Sequence, residues 1–273
     1  MTPLVLDNSI RETTVGQIRG HSIDNKFEIL KKTRKAGMKF HIVASFTHTR
    51  RVDDDFVLAA WQNAIDEGEE NFHAFAELTD EWKDGVPSSK IPSSLKKVHD
   101  YGLMNVIFEI DLTSTQMDWD NEEKFQRYLA LLKARLTFAK KQLKGKMRWV
   151  NYRDWPAAMG ISTKVKQRLM RVTKFLSDLP KDIRPTGLFL EDPLGSSLPF
   201  QVGQWTCEVR HCMDQNGWGE VTGDSEHPDK FDGQLLIHIH KNYGMAEASV
   251  LESLAAGATG IWCAICDEVS HFF

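Results

Sequence analysis

Gln234-Leu235-Leu236-Ile237-His238-Ile239-His240 is followed by a small-residue stretch at 245–256 and then by Gly260-Ile261-Trp262-Cys263-Ala264-Ile265. The two apolar runs read as strands and the segment between them has helical period. A strand, a helix and a second strand within about 30 residues imply parallel pairing through a crossover. The same rhythm extends back to the N-terminus. Strands are expected at 4–6, 40–46, 72–78, 104–112, 147–152 and 187–190. Helices are expected from Ser22 or Asp24 to 36 with Gly37 as C-cap, and from the acidic cluster Asp53-Asp54-Asp55 with Phe56, Ala60 and Ala64 on one face. Others are expected at 95–101 ending at Gly102, 121–143, 164–176 and 200–215, and residues 87–92 read as a loop. Eight strands is the count that closes an α/β barrel, a (β/α)8 TIM barrel, with an open doubly wound sheet as the alternative.

Composition is compatible with that fold and excludes several classes. The chain has 273 residues, 34 Lys+Arg against 38 Asp+Glu, a formal net charge of -4, 41% hydrophobic and 26% charged residues. This is a globular composition without a basic stripe, so no nucleic-acid partner is expected. No apolar run approaches the roughly 20 residues that cross a bilayer, and the N-terminus has no basic, apolar leader pattern. A cytoplasmic protein with no membrane partner is therefore expected. Neither a Gly-x-Gly-x-x-Gly after the first strand nor a phosphate-binding Walker loop is present. Cys263 and Cys266 lie three apart in a strand-like run, which points them to opposite faces, so they read as two unrelated thiols.

In a parallel barrel the chemistry gathers where the strands end, so the polar residues closing each apolar run are the candidates. His238 and His240 are two apart on a strand and share a face, while Ile237 and Ile239 turn outward to the helices. Two neutral imidazoles form half of a divalent metal site, which the carboxylate of Asp7, ending the first strand, would complete. Arg11, four residues on, reads either as the salt-bridge partner of Glu12 or as a fixed cation beside a metal, the pair that a developing enolate oxygen needs. Other strand ends supply Ser45, Glu77, Asp111, Asn151 with Arg153, and Glu191 with Asp192. Ser45, Asn151 and Glu191 are the expected substrate-binding residues among them.

These residues resemble the DRE-TIM metallolyases, the superfamily of 3-hydroxy-3-methylglutaryl-CoA lyase, the isopropylmalate and homocitrate synthases, 4-hydroxy-2-oxovalerate aldolase and the carboxyltransferase domain of pyruvate carboxylase. Asp7-Asn8-Ser9-Ile10-Arg11-Glu12-Thr13 is similar to the opening pattern Asp-x-Thr-Leu-Arg-(Asp/Glu)-Gly. His238-Ile239-His240-Lys241-Asn242-Tyr243-Gly244 is similar to His-x-His-(Asp/Asn)-x-x-Gly. Glu191-Asp192-Pro193-Leu194-Gly195, with Pro199 after it, is similar to Asp-Thr-x-Gly-x-x-x-Pro, and Ala44-Ser45-Phe46 resembles the lyase branch. Thr13 stands in place of a glycine, Gln17 is displaced, and Lys241 replaces an acid or amide. The resemblance covers nearly the whole chain.

It implies one metallolyase-like barrel domain over 1–273, a divalent metal (Mg, Mn, Zn or Co) on Asp7, His238 and His240, and Arg11 with Glu12 as catalytic residues. The implied substrate is an acyl-CoA or a 2-oxo acid, cleaved through an enolate by a homo-oligomeric enzyme. A Claisen-condensing acyltransferase of the isopropylmalate-synthase kind is the second reading, and a barrel kept only for binding is the third. The family's fourth ligand, an asparagine after the eighth strand, would fall just past Phe273. Only eight residues follow Ile265, ending in Phe272-Phe273, so a longer polypeptide is expected to supply that ligand and the closing helix.

Overall fold

The computed structural model describes residues 3–12, 22–62, 71–143, 147–223, 226–227 and 230–264, with the backbone alone for Glu12, Trp61 and Gln62. Ten strands are described: β1 (Leu4–Asp7), β2 (Phe40–Ser45), β3 (Phe72–Glu77), β4 (Trp82–Lys83), β5 (Val86–Pro87), β6 (Asn105–Asp111), β7 (Arg148–Arg153), β8 (Gly187–Asp192), β9 (Gln234–Ile239) and β10 (Gly260–Cys263). All but β4 and β5 close into one parallel barrel in the order β1-β10-β9-β8-β7-β6-β3-β2. Closure removes the open doubly wound alternative. Nine helices are described: α1 (Ser9–Glu12), α2 (Ile23–Lys35), α3 (Val52–Gln62), α4 (Ser93–Asp100), α5 (Glu122–Gln142), α6 (Trp155–Gly160), α7 (Thr163–Ser177), α8 (Pro199–Gln215) and α9 (Ala246–Ala255).

The helix starts are local chemistry. The side chains of Ser22, Asn121 and Ser162 accept hydrogen bonds from Asn25, Lys124 and Val165, each satisfying one otherwise orphaned amide at the head of α2, α5 and α7. Three short elements escape the periodicity reading. The one-turn α1 and the six-residue α6 are too brief to carry a period, and β4 and β5 form a hairpin entering the stretch read as a loop. Its turn residues Asp84 and Gly85 both have positive φ, 53° and 72°, the type I′ geometry that an Asp-Gly pair favours. Ala64, Cys266, Thr13, Gln17, Phe272 and Phe273 lie outside the described residues.

Strand alternation sorts the apolar residues into two cores. Val43, Ala74, Ala76, Phe108, Ile110, Val150, Leu188, Leu190, Leu235 and Ile237 face outward to the helices. Leu6, Phe40, Ile42, Phe75, Ile107, Trp149, Phe189, Leu236 and Trp262 fill the barrel interior. Ring contacts run across this inner layer, from Trp149 to Phe189 at 4.9 Å and from Phe189 to Trp262 at 5.5 Å with the rings stacked. The interior is a solid floor on which the next layer of side chains stands.

Candidate active site

Two residues beyond five of the floor residues, on the same face, the chemistry changes. Phe75 is followed by Glu77, Ile107 by Glu109, Trp149 by Asn151, Phe189 by Glu191 and Leu236 by His238. On β2 the register shifts between Ile42 and Ala44, and this places Ser45 opposite the inward Phe75. The C-terminal mouth of the barrel is thus lined by ionisable and amide groups, and the inward-facing ends of β2, β7, β8 and β9 bring Ser45, Asn151, Glu191 and His238 to one rim.

His238 is held from two sides. Its ring stacks on Trp262 at 3.9 Å and 19°, and its Nδ1 lies 2.7 Å from the Trp262 carbonyl oxygen. A ring nitrogen facing a carbonyl must donate, so in the neutral imidazole the lone pair is on Nε2. His240 stands beside it, ring centroids 4.9 Å apart and planes at 89°. The turn after β8 fixes His240: the Asp192 carbonyl accepts from His240 N at 2.9 Å, and the Asp192 side chain caps Leu194 N and Gly195 N at 3.1 and 2.7 Å. Gly195 has φ +59°, and a Cβ there would lie 1.9 Å from the His240 oxygen, so only glycine allows this approach. Burial holds the Asp192 carboxyl above the usual range against those two hydrogen bonds.

Arg11 sits on α1 with its guanidinium 5.0 Å over the Phe75 ring, at the edge of the same floor. The α1 turn is anchored by buried charges at both ends. At its start, Asp7 Oδ1 accepts from Ser9 N (3.0 Å) and Oγ (2.5 Å), and Asp7 Oδ2 faces His41 Nδ1 at 3.0 Å. Within the turn, the Ile10 carbonyl accepts from Lys26 Nζ at 2.5 Å. Lys26 and Asp53 form an ion pair at 3.0 Å with side chains 0% and 3% exposed, and Asp53 in turn accepts from Ser45 N at 2.9 Å. Burial lowers the Lys26 ammonium, opposed by Asp53, with Arg11 lowering it further.

Glu109 was not among the sequence candidates, although its inward parity with Ile107 was readable. Asp111, the candidate from that strand, instead caps Thr113, accepting from its N and Oγ at 2.8 and 2.7 Å. The Glu109 carboxyl is held above the ordinary range by burial and by Glu191, offset in part by Arg153 and Arg11. Arg153 donates to it at 3.3 Å. Glu191 accepts from Asn151 Nδ2 at 2.6 Å. Glu77, at the rim, is likewise raised by burial first and then by Asp80, with Glu109 contributing.

Asp7 does not join the histidines. Its register partners are His41 and Cys263, while Leu6 beside it pairs with the inward Phe40 and Trp262, so alternation turns Asp7 out of the barrel. Among the described residues no three His, Cys, Asp or Glu side chains converge as a metal-holding group. The imidazole pair fits a divalent ion in donor chemistry, His238 in tautomer as well, and the Asp7 carboxylate, spent on Ser9 and His41, does not complete it. The side chain of Glu12 is outside the described set. Cys263 is half-buried at the end of β10, its thiol pushed up by burial and by Asp7.

The architecture and its mouth define a (β/α)8 barrel with a carboxylate-, guanidinium- and imidazole-lined rim. Compared with solved structures, the chain is similar to the Bacillus subtilis HMG-CoA lyase at 15% identity and a TM-score of 0.65, covering 96% of this chain and 76% of that one. It is also similar to the Acinetobacter baumannii HMG-CoA lyase in complex with coenzyme A and 3-methylmalate, at 12% identity and a TM-score of 0.63 over 96% and 74%. The carboxyl transferase domain of Rhizobium etli pyruvate carboxylase with pyruvate matches at 11% and 0.57, over 96% and 40%. The fold is the one these proteins share. No family model matches the sequence, and no curated protein matches it. Among the described residues no helix is long and apolar enough to cross a membrane.

Proposed function

We propose that the protein is a divalent-metal-dependent carbon–carbon lyase or aldolase of the DRE-TIM metallolyase type, acting through an enolate on an acyl-CoA or a 2-oxo acid. The observation that carries this reading is the rim itself. A pair of adjacent imidazoles, one of them with its tautomer fixed, an arginine held over the floor and a carboxyl raised above its ordinary range stand around one mouth. The lyase of the same fold that holds coenzyme A and 3-methylmalate supports the substrate class.

His238 and His240 would hold the ion, which when bound supplies Lewis-acid polarisation of the substrate carbonyl. Arg11 offers the developing enolate oxygen two parallel N–H donors on a fixed plane. Glu109 Oε takes the proton of the substrate hydroxyl as the adjacent carbon–carbon bond opens and its electron pair moves into the enolate. The same carboxyl then returns that proton to the enolate carbon, which balances the step. Ser45, Asn151 and Glu191 border the substrate, and the Phe189–Trp262 floor excludes water from below.

The test is a cleavage assay over a panel of 3-hydroxyacyl-CoA thioesters and 4-hydroxy-2-oxo acids with Mg2+ or Mn2+. Arg11→Lys keeps the charge and loses the planar fork, so turnover is expected to fall about a hundredfold, as for loss of one oxyanion donor. A lysine variant as active as the wild type returns Arg11 to a packing role.

A further inference from the structure

Resting on the enolate reading above, we propose that Lys26 and Asp53 are positioning residues for that chemistry: their buried pair is a strut that sets the turn carrying Arg11 against the strand end carrying Ser45.

Arg11 and Ser45 reach the mouth from elements far apart in sequence, the one-turn α1 and the end of β2. A helix leaves its last four carbonyls without intrahelical partners, so a single turn cannot hold its own. The Ile10 carbonyl, directly before Arg11 in the chain, accepts instead from Lys26 Nζ at 2.5 Å. That Nζ lies 3.0 Å from Asp53 Oδ1, and Asp53 Oδ2 accepts from Ser45 N at 2.9 Å. Three contacts through two side chains therefore connect the backbone behind Arg11 with the backbone of Ser45. Both side chains are buried, where such contacts are stronger than in water.

The same helix start supplies a matched control. Asp54 pairs with Lys97 at 2.8 Å and accepts from Arg51 N at 2.9 Å, while Lys97 donates to the Thr49 carbonyl at 2.6 Å. The chemistry repeats that of the first pair, a lysine set between a backbone carbonyl and an aspartate that also takes an amide. The address differs. Thr49 and Arg51 belong to the segment between β2 and α3, so the second pair ends on that loop and the first ends on rim residues. Folding needs no buried ion pair at either place, because exchanging both partners for apolar side chains of similar volume is often neutral. What the charged pair adds at 26 and 53 is one fixed separation across the rim.

The experiment compares the wild type with Lys26→Met/Asp53→Leu and with Lys97→Met. The double variant is used because Lys26→Met alone strands a buried carboxylate. Three quantities are read: the thermal midpoint, Mg2+-dependent deuterium exchange into the methyl groups of pyruvate and acetyl-CoA, and the NMR signal of the Arg11 Nε–H group. That signal is assigned by its absence in Arg11→Lys, and the Phe75 ring, 5.0 Å from the guanidinium, displaces it. The double variant should lose at least about tenfold in turnover with KM little changed, as expected when reacting groups are misplaced by about 1 Å or less, and its Arg11 signal should move. Lys97→Met should lower the midpoint and leave turnover and the Arg11 signal as they are in the wild type. If the double variant folds and keeps both the wild-type turnover and the Arg11 signal, the strut is overturned while the enolate reading survives. An equal loss of turnover in Lys97→Met overturns it too, since both pairs then only support the barrel. If the wild type accelerates exchange in neither compound, the enolate reading fails, and the Arg11 signal alone decides whether the pair positions that residue. Should the double variant not fold, Asp53→Asn, which keeps an acceptor for Ser45 N and loses the charge that holds Lys26, is read in the same way.

Discussion

The interior of the barrel holds two successive layers built by the same strands, and they differ in kind. The lower one, Phe75, Ile107, Trp149, Phe189, Leu236 and Trp262, is built of apolar and aromatic side chains and is fully or almost fully buried. The upper one, Glu77, Glu109, Asn151, Glu191 and His238, puts an ionisable or amide group on five strands in turn. One pleat, about 7 Å along the strand, separates the two. The floor can be ranked by the volume it fills, the rim by the charges it fails to neutralise. Burial first, and then Glu191 for Glu109 and Asp80 for Glu77, holds both carboxyls above the ordinary range, the kind of perturbation that clusters at functional sites.

Breaking the floor should have the largest effect. Trp149→Ala removes a fully buried indole from the ring contacts with Phe189 and His73, and it is expected to destabilise by about 3–5 kcal/mol in urea unfolding. Next comes the anchor beneath Arg11. Lys26→Met leaves Asp53 as a buried charge without its ammonium, at a cost of about 3 kcal/mol, and it frees the Ile10 carbonyl that positions α1.

Acid should weaken the other anchor. For Asp7, burial pushes its carboxyl up, but the hydrogen bonds from His41 and Ser9 and the His41 charge outweigh this and leave it below the usual value. A carboxyl depressed in the folded state contributes stability above the unfolded pKa near 3.9, and that stability drains away as pH falls through the lower native value. The acid limb of a stability–pH curve should therefore be shallower below about pH 4 in Asp7→Asn than in the wild type. An unchanged limb would mean that Asp7 carries no folding-linked proton.

The smallest effect has the opposite sign. Glu109 is raised in the folded state, so its charge opposes folding above the unfolded pKa of a glutamate, and Glu109→Gln should raise the urea midpoint slightly at pH 7 while impairing turnover. A destabilised glutamine variant would place Glu109 among ordinary surface charges paired to arginine.

The barrel was legible because strands and helices long enough to show a period repeat eight times. Every barrel strand of the structure overlaps its expected run, and His238 lies within β9 with His240 just past its end. The elements that went unread, α1, α6 and the Asp84-Gly85 hairpin, are too short for periodicity. The reading of Asp7 rested on its place at the end of the first strand and not on parity: counting from Leu6, the inward residue there is Asn8, as Glu109 is when counted from Ile107. Lys26 and Asp53 were beyond reach, since their pairing joins α2 to α3 and nothing in either helix alone signals a buried partner.

The central claim is that this rim stabilises an enolate. Its most direct test follows deuterium exchange by proton NMR at the methyl group of pyruvate and of acetyl-CoA, in D2O with Mg2+. Wild-type protein should accelerate exchange in one of the two, and Arg11→Lys should slow that exchange about a hundredfold with the thermal midpoint nearly unchanged. Exchange at the uncatalysed rate for both compounds, or the same rate in both proteins, would contradict it.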